Sequence, residues 1–186
     1  MTTQQKIEEL RKQFLRLKSG EAVQIAAQDT HVKMSARIFE KGKNANDGDI
    51  GKYDTSNPLY VNPDDSPKKF PTTGKPKANG KGASKFEDGT KHKTGYFESY
   101  AAFRKKIGRK TDKVNLVLSG DLQSDFGKAV MKVGPNKFAS TVRQNNQDKI
   151  DGMNLKYGPI FRLTPKERTN FKQVLAFETF KLLNSA

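Results

Sequence analysis

Few side chains in this 186-residue chain have the type and spacing for chemistry. There are two histidines, His31 and His92. His31 falls in an expected helix and His92 in a lysine-rich stretch. Neither has a carboxylate and a nucleophile at the spacing of a catalytic dyad or triad, so both are read as non-catalytic. The series Asn46, Asp47, Asp49 has the look of a metal loop. It lacks the regular ligand alternation and the closing bidentate Glu of a calcium site, so turn formation is the better reading. The pair Asp64-Asp65 lies in a stretch too flexible to hold catalytic geometry. The chain has no cysteine, which excludes thiol catalysis, cysteine-based zinc sites and disulfides. No phosphate-binding P-loop, G-x-G-x-x-G, H-E-x-x-H or G-x-S-x-G motif occurs. The expectation is a non-enzymatic chain with no catalytic residues, no cofactor and no metal site.

The charge is the next signal. The formal net charge is +15, and it is unevenly spread. Residues 1–60 carry 10 Lys/Arg against 8 Asp/Glu, whereas residues 61–113 carry 14 against 6. Residues 114–186 carry 11 against 6. Such an excess suits a nearby polyanion, either nucleic acid or an acidic protein surface, and equally suits a solvated, solubilising face. Two clusters carry it. Lys68, Lys69, Lys75, Lys77, Lys81 and Lys85, with Lys91 and Lys93, lie in one stretch that contains no arginine and only Phe70 and Phe86 as aromatics. Base readout favours arginine and strand stacking needs aromatics, so any DNA contact here is expected to be non-specific. The second cluster is Arg104, Lys105, Lys106, Arg109 and Lys110, which also reads as a basic helix end suited to the helix dipole. Both clusters are candidate partner or DNA contacts.

The elements that must position these groups follow from periodicity. Thr2 and Gln5 form a possible capping box. Ile7, Leu10, Phe14 and Leu17 then recur at helical steps up to Gly20, a plausible stop. A second helix is expected over about Glu21–Ala36, with a possible break at Asp29-Thr30. Residues 36–40 either continue it or begin a strand. Residues 41–95 change texture: they are rich in Gly, Asn and Asp, and five of the eight prolines fall between Pro58 and Pro76. Such a segment buries too little apolar surface to offset its ordering entropy, so a long arm is expected. Regular structure is expected to resume with a helix over Tyr96, Tyr100 and Phe103. A strand follows at Val114, Leu116 and Leu118, and then a helical turn at Leu122 and Phe126. Two strands, Ala129–Val133 and Lys137–Val142, form a hairpin across Gly134-Pro135-Asn136. Residues 144–157 fit a short helix or an exposed loop. The chain is thus read as one domain: a helical region over 1–40, an arm over 41–95 and a compact core over 96–186.

The last helix gives the clearest signal. Thr164, Pro165 and Glu167 form a capping box with proline at the first helical position. The helix should run to about Leu183. From Val174 onward its apolar residues wrap most of the circumference, where a surface helix shows one stripe. Phe171, Val174, Phe177, Phe180 and Leu183 are therefore candidate subunit contacts.

Three stretches, RIFEKGKNANDGDIGKY (37–53), KTGYFESYAAFRKKIGRKTDKVNLVLSGDLQSDF (93–126) and GPIFRLTPKERTNFKQVL (158–175), lie in an order that resembles the tail-completion or head–tail joining proteins of tailed bacteriophages. The resemblance covers about two thirds of the chain and omits most of 58–92. It implies an α+β fold: N-terminal helices and a long C-terminal helix packed on a small, mostly antiparallel sheet, with a long extended arm. It also implies a structural virion protein of the ring-shaped neck, made in the bacterial cytoplasm. Its partners would be copies of itself in a homo-oligomeric ring (a hexamer favoured over a dodecamer), neighbouring neck, connector or tail proteins, and non-specifically the DNA passing through. No membrane partner is expected, because no run approaches the roughly 20 apolar residues of a transmembrane helix. Two other readings stand beside this one: a non-specific nucleic-acid-binding protein, and a metal-dependent nuclease or hydrolase that lacks a convincing ligand cluster.

Overall fold

A computed structural model describes residues 2–62, 95–127, 130–134 and 136–184. The fold is α+β, with helices predominating. Helix α1 spans Thr3–Ser19. Its expected capping box forms: Gln5 N–H donates to Thr2 Oγ1, and Thr2 N–H donates to Gln5 Oε1. Gly20 ends the helix in the left-handed region (φ 82°), its N–H returning to the carbonyls of Arg16 and Leu17. The same residue leads into α2, Glu21–Ser35. No break occurs at Asp29-Thr30, because the Thr30 hydroxyl donates back to Ala26 O at 2.8 Å and stays inside the helix. Residues Ala36–Glu40 prolong α2 as a π-helical turn that buries Arg37, Ile38 and Phe39 in succession.

Two strands lie on either side of residues 63–94 in sequence. Strand β1, Leu59–Val61, pairs antiparallel with β2, Gly95–Phe97. Helix α3 follows at Tyr100–Lys106, and α4 at Asp121–Gly127. Strands β3, Val130–Gly134, and β4, Lys137–Ser140, form the expected hairpin. The strands therefore make two separate two-stranded ribbons. Helix α5, Gln144–Tyr157, settles the helix-or-loop alternative for that segment. Helix α6, Pro165–Asn184, packs along α2 and meets α1. Thr164 N–H donates to Glu167 Oε2 and Glu167 N–H to Thr164 Oγ1, so its capping box also forms.

The larger of two hydrophobic clusters gathers residues from 34 to 160, and the smaller packs Phe103 and Ile107 against Leu59, Val61 and Phe97. Met34, Ile38 and Phe39 from the end of α2 meet Ile50, Tyr53, Val114, Leu122, Phe126, Ile150 and Ile160. The 41–53 stretch, expected to open the arm, is thus part of the core, with Ala45 and Ile50 buried as well as Tyr53. It is pinned by a buried cation. Arg37 donates to Lys43 O, Ile160 O and Arg162 O, and its Nε lies 2.8 Å from Glu167 Oε1.

Two further expectations change. Residues 114–118 alternate like a strand but form none. Asn115 is buried, and its Oδ1 accepts from Val117 N–H in a local turn, while Leu116 takes a positive φ of 55°. A side chain that hydrogen-bonds its own backbone competes with the ladder. The helix expected from Tyr96 begins instead at Tyr100, because the extended Ser99 caps it by accepting from Ala102 N–H. From residue 63 to 94 the expected arm lies outside the described residues. So do Asp64-Asp65, His92 and Lys68, Lys69, Lys75, Lys77, Lys81, Lys85, Lys91 and Lys93.

Candidate functional site

The structure gathers two surfaces that could meet other molecules. The first is apolar and spans α1 and the C-terminal turns of α6. On α1, Ile7, Leu10 and Phe14 follow one another at helical steps, and each is more than half exposed. With Leu17 and Leu183 they line a shallow groove of 430 Å³. On α6 the apolar side chains divide. Leu182 is buried at 4% exposure, and Phe171, Val174 and Leu175 are half-buried. Phe177, Phe180 and Leu183 stand 63%, 66% and 53% exposed, one per turn in a slanting row. The helix that reads as apolar nearly all round therefore spends one side on its own core and leaves another uncovered. Leu183 joins this row to the α1 groove, and exposed aromatic and aliphatic side chains grouped in this way mark an interaction surface.

The second surface is a cleft of 770 Å³. Three segments build it: the turn at 52–54, the stretch 100–122 and one face of α5. Its floor is a buried polar network. Tyr53 Oη donates to Asn115 Oδ1 and accepts from Asn115 N–H, both at 3.2 Å. Arg104 Nη2 donates to the same Asn115 Oδ1 at 3.1 Å, and Arg104 Nε donates to Lys110 O at 3.0 Å. The guanidinium lies 4.0 Å over the Tyr53 ring, a cation–π contact that strengthens when desolvated. Burial pushes the Tyr53 phenol above its ordinary value, against the lowering effect of the Asn115 backbone hydrogen bond. Val114, Leu116, Leu118 and Leu122 supply apolar wall. The α5 face contributes Lys149, Gly152, Met153, Lys156 and Tyr157, which are neighbours at the i, i+3, i+4, i+7 and i+8 spacing of one helix side.

The charge lining this cleft is one-sided. Lys52, Arg104, Lys149 and Lys156 face a single carboxylate, Asp54. That carboxylate is committed to its own turn. Asn57 Nδ2 donates to it at 2.6 Å, and the N–H groups of Ser56 and Asn57 donate at 2.8 and 3.0 Å. These bonds, the Asn57 side chain first, hold its pKa well below the usual carboxylate range.

The expected contact residues fall unequally. Lys105, Lys106 and Lys110 are exposed at the end of α3 and available to a partner. Arg109 is half-buried, with Nη2 3.4 Å from Ser119 O. Arg104 is a correction: it is 1% exposed and belongs to the cleft floor, so it cannot touch DNA at the surface. Two lysines follow it in sequence, and only the helical phase that turns it onto Tyr53 sets it apart. His31 is buried, stacked on Phe126 at 4.5 Å, with Nε2 bonded to Phe126 O, a structural position. The carboxylates of the 46–49 turn are paired with lysines, Asp47 with Lys166 and Asp49 with Lys43. Among the described residues no three acidic or histidine side chains converge as metal ligands. No helix among them is long and apolar enough to cross a membrane.

The cleft itself was missed in sequence, because its three segments are separated by long intervals. The α5 face alone left a trace, in the spacing of Lys149, Gly152, Met153, Lys156 and Tyr157. Comparison with models of protein families, with curated proteins and with solved structures finds no match to this chain.

Proposed function

We propose that this chain is a non-enzymatic structural subunit that assembles through its α1–α6 face, and that the assembly is the neck ring joining head to tail in a tailed-phage virion. The observation that carries the assembly reading is the uncovered row Phe177, Phe180 and Leu183 on α6, whose Leu183 lines one groove with Ile7, Leu10 and Phe14 of α1. Burying apolar surface contributes about 25 cal/mol per Å². Six large side chains left more than half exposed are a strong drive toward a second copy. A ring uses one such surface per subunit against a different surface on the next, and repeats until it closes. The step from assembly to the phage neck draws on the resemblance of the 37–53, 93–126 and 158–175 stretches. In that setting the hexamer is the favoured ring, with neighbouring neck, connector or tail proteins as further partners.

Native mass spectrometry of the purified protein tests the reading. A closed oligomer that collapses to monomer in Phe177→Glu/Phe180→Glu is the expected result. A wild-type protein that stays monomeric at high concentration overturns it.

The second reading, non-specific nucleic-acid binding, draws on exposed Lys105, Lys106 and Lys110. It expects DNA retention that falls steeply as salt rises, with a linear slope in log affinity against log salt. Retention insensitive to salt, or none at low salt, would exclude it.

A further inference from the structure

The cleft along α5 has a feature that the packing of this chain does not require. Gly152 sits inside a helix, where glycine is normally unfavourable. It has no positive φ, and a Cβ built on it meets nothing within 4 Å. Neither backbone conformation nor crowding within the chain explains it. It faces the cleft between Lys149 and Lys156, two lysines two helical turns apart, about 10.5 Å along the axis. Lys149 Nζ rests on Asn146 Oδ1 at 2.9 Å, and Lys156 Nζ on the Tyr157 ring at 5.1 Å. Both are neutral partners that an arriving carboxylate can replace. Beneath them the cleft wall is apolar.

We propose that this cleft is a docking trough for an acidic segment of a partner protein, one with a bulky apolar residue flanked by carboxylates. The apolar residue packs on the leucine-lined wall, carboxylates pair with Lys149 and Lys156, and the bare Cα of Gly152 admits the partner's backbone between them. A segment of main chain fits this trough better than a compact anion. The apolar lining beside the lysines offers a compact anion nothing to pack on, and a glycine on the wall accommodates backbone. The charge is complementary, since three exposed lysines, Lys52, Lys149 and Lys156, face one internally bonded carboxylate. Such complementarity sets specificity and on-rate. The cleft shares no residue with the α1–α6 groove, so this inference does not rest on the assembly reading, and each fails or holds by its own measurement.

The test is an NMR titration of the full chain with the synthetic peptide acetyl-Asp-Glu-Leu-Phe-Glu-Asp-amide. The controls are its Asn/Gln counterpart, inorganic phosphate, adenosine monophosphate and single-stranded oligothymidylate. The expected result is saturable binding of the acidic peptide with shifts centred on Gly152 and Tyr157. Binding should weaken at least about tenfold in Lys149→Glu/Lys156→Glu, a loss of buried-edge charge pairing. Gly152→Ala should weaken it as well while leaving the melting temperature equal or higher, which separates lost approach from lost folding. Binding weaker than about 1 mM, binding unchanged by the charge reversal, or the Asn/Gln peptide binding equally well overturns the proposal. So does phosphate, the nucleotide or the oligonucleotide occupying the same residues more tightly than the acidic peptide.

Discussion

Arg37 on the π-helical end of α2 and Glu167 in the first turn of α6 lie 2.8 Å apart, with side chains only 7% and 8% exposed. The pair joins chain segments 130 residues apart in sequence. The same Arg37 holds the carbonyls of Lys43, Ile160 and Arg162, and the same Glu167 closes the α6 capping box. Removing one partner leaves the other a buried charge with neutral hydrogen-bond partners but no counter-ion. Glu167→Leu or Arg37→Met alone should cost about 3–5 kcal/mol, whereas the paired Arg37→Met/Glu167→Leu should cost far less than the two single changes together. Urea denaturation of the four proteins measures this. Additive losses would show that the two residues act separately.

Asp125 ties α4 to α5. Its Oδ2 accepts from Asn146 Nδ2 and from Arg143 N–H, each at 2.8 Å, and Arg143 Nε reaches Oδ1 at 3.2 Å. The Asn146 hydrogen bond first, then the Arg143 N–H, lowers the Asp125 pKa below its ordinary 3.8. A carboxylate with a lowered folded-state pKa contributes stability that is present above the unfolded value and lost as pH falls through the folded one. Wild-type protein should therefore melt above Asp125→Asn at neutral pH, with the gap closing as pH drops below 3.8. Melting curves against pH check this, and a gap that persists undiminished at pH 2 contradicts it.

Gly152 weakens α5 in the free protein. Because a Cβ there meets nothing within 4 Å, Gly152→Ala should stabilise by about 0.5–1 kcal/mol, the interior-helix difference between the two residues. Thermal or chemical denaturation reads it directly, and destabilisation would reveal a contact or strain that the free chain's geometry does not contain.

The apolar face should be nearly silent in the monomer's own stability. Phe14, Phe177 and Phe180 are each over 60% exposed, so Phe14→Glu or Phe180→Glu should change the unfolding free energy by no more than about 0.5 kcal/mol. Solubility should rise in the same variants. A large loss of stability would mean that these rings pack internally.

Much of this fold is written locally. The α1 and α6 capping boxes and the Gly20 stop depend on residues three or four apart, the β3–β4 hairpin on residues no more than ten apart, and each was legible. The failures share a physical cause, distant partners or side chains that hydrogen-bond their own backbone. Val114 to Leu118 alternates like a strand, but Asn115 turns its amide on Val117 N–H and bends the chain. Residues 41–53 look too polar to pack, yet Ala45, Ile50 and Tyr53 suffice to seat them once Arg37 holds Lys43 O. Arg104 reads as one cation of a basic cluster, and nothing nearby in sequence announces that Tyr53, some fifty residues earlier, will cover it. The exposed row on α6 was half legible. Its excess of apolar residues showed that a second cover was needed, while the division between Leu182 inward and Phe177 and Phe180 outward required the position of α2.

Sedimentation velocity of the wild type against Phe177→Glu/Phe180→Glu, over a wide range of protein concentration, tests the central claim most directly. The account predicts a discrete wild-type species at an integral multiple of 20.8 kDa and a folded, monomeric double variant. A wild-type protein sedimenting as a 20.8 kDa monomer at every concentration, with α6 intact by circular dichroism, would contradict it.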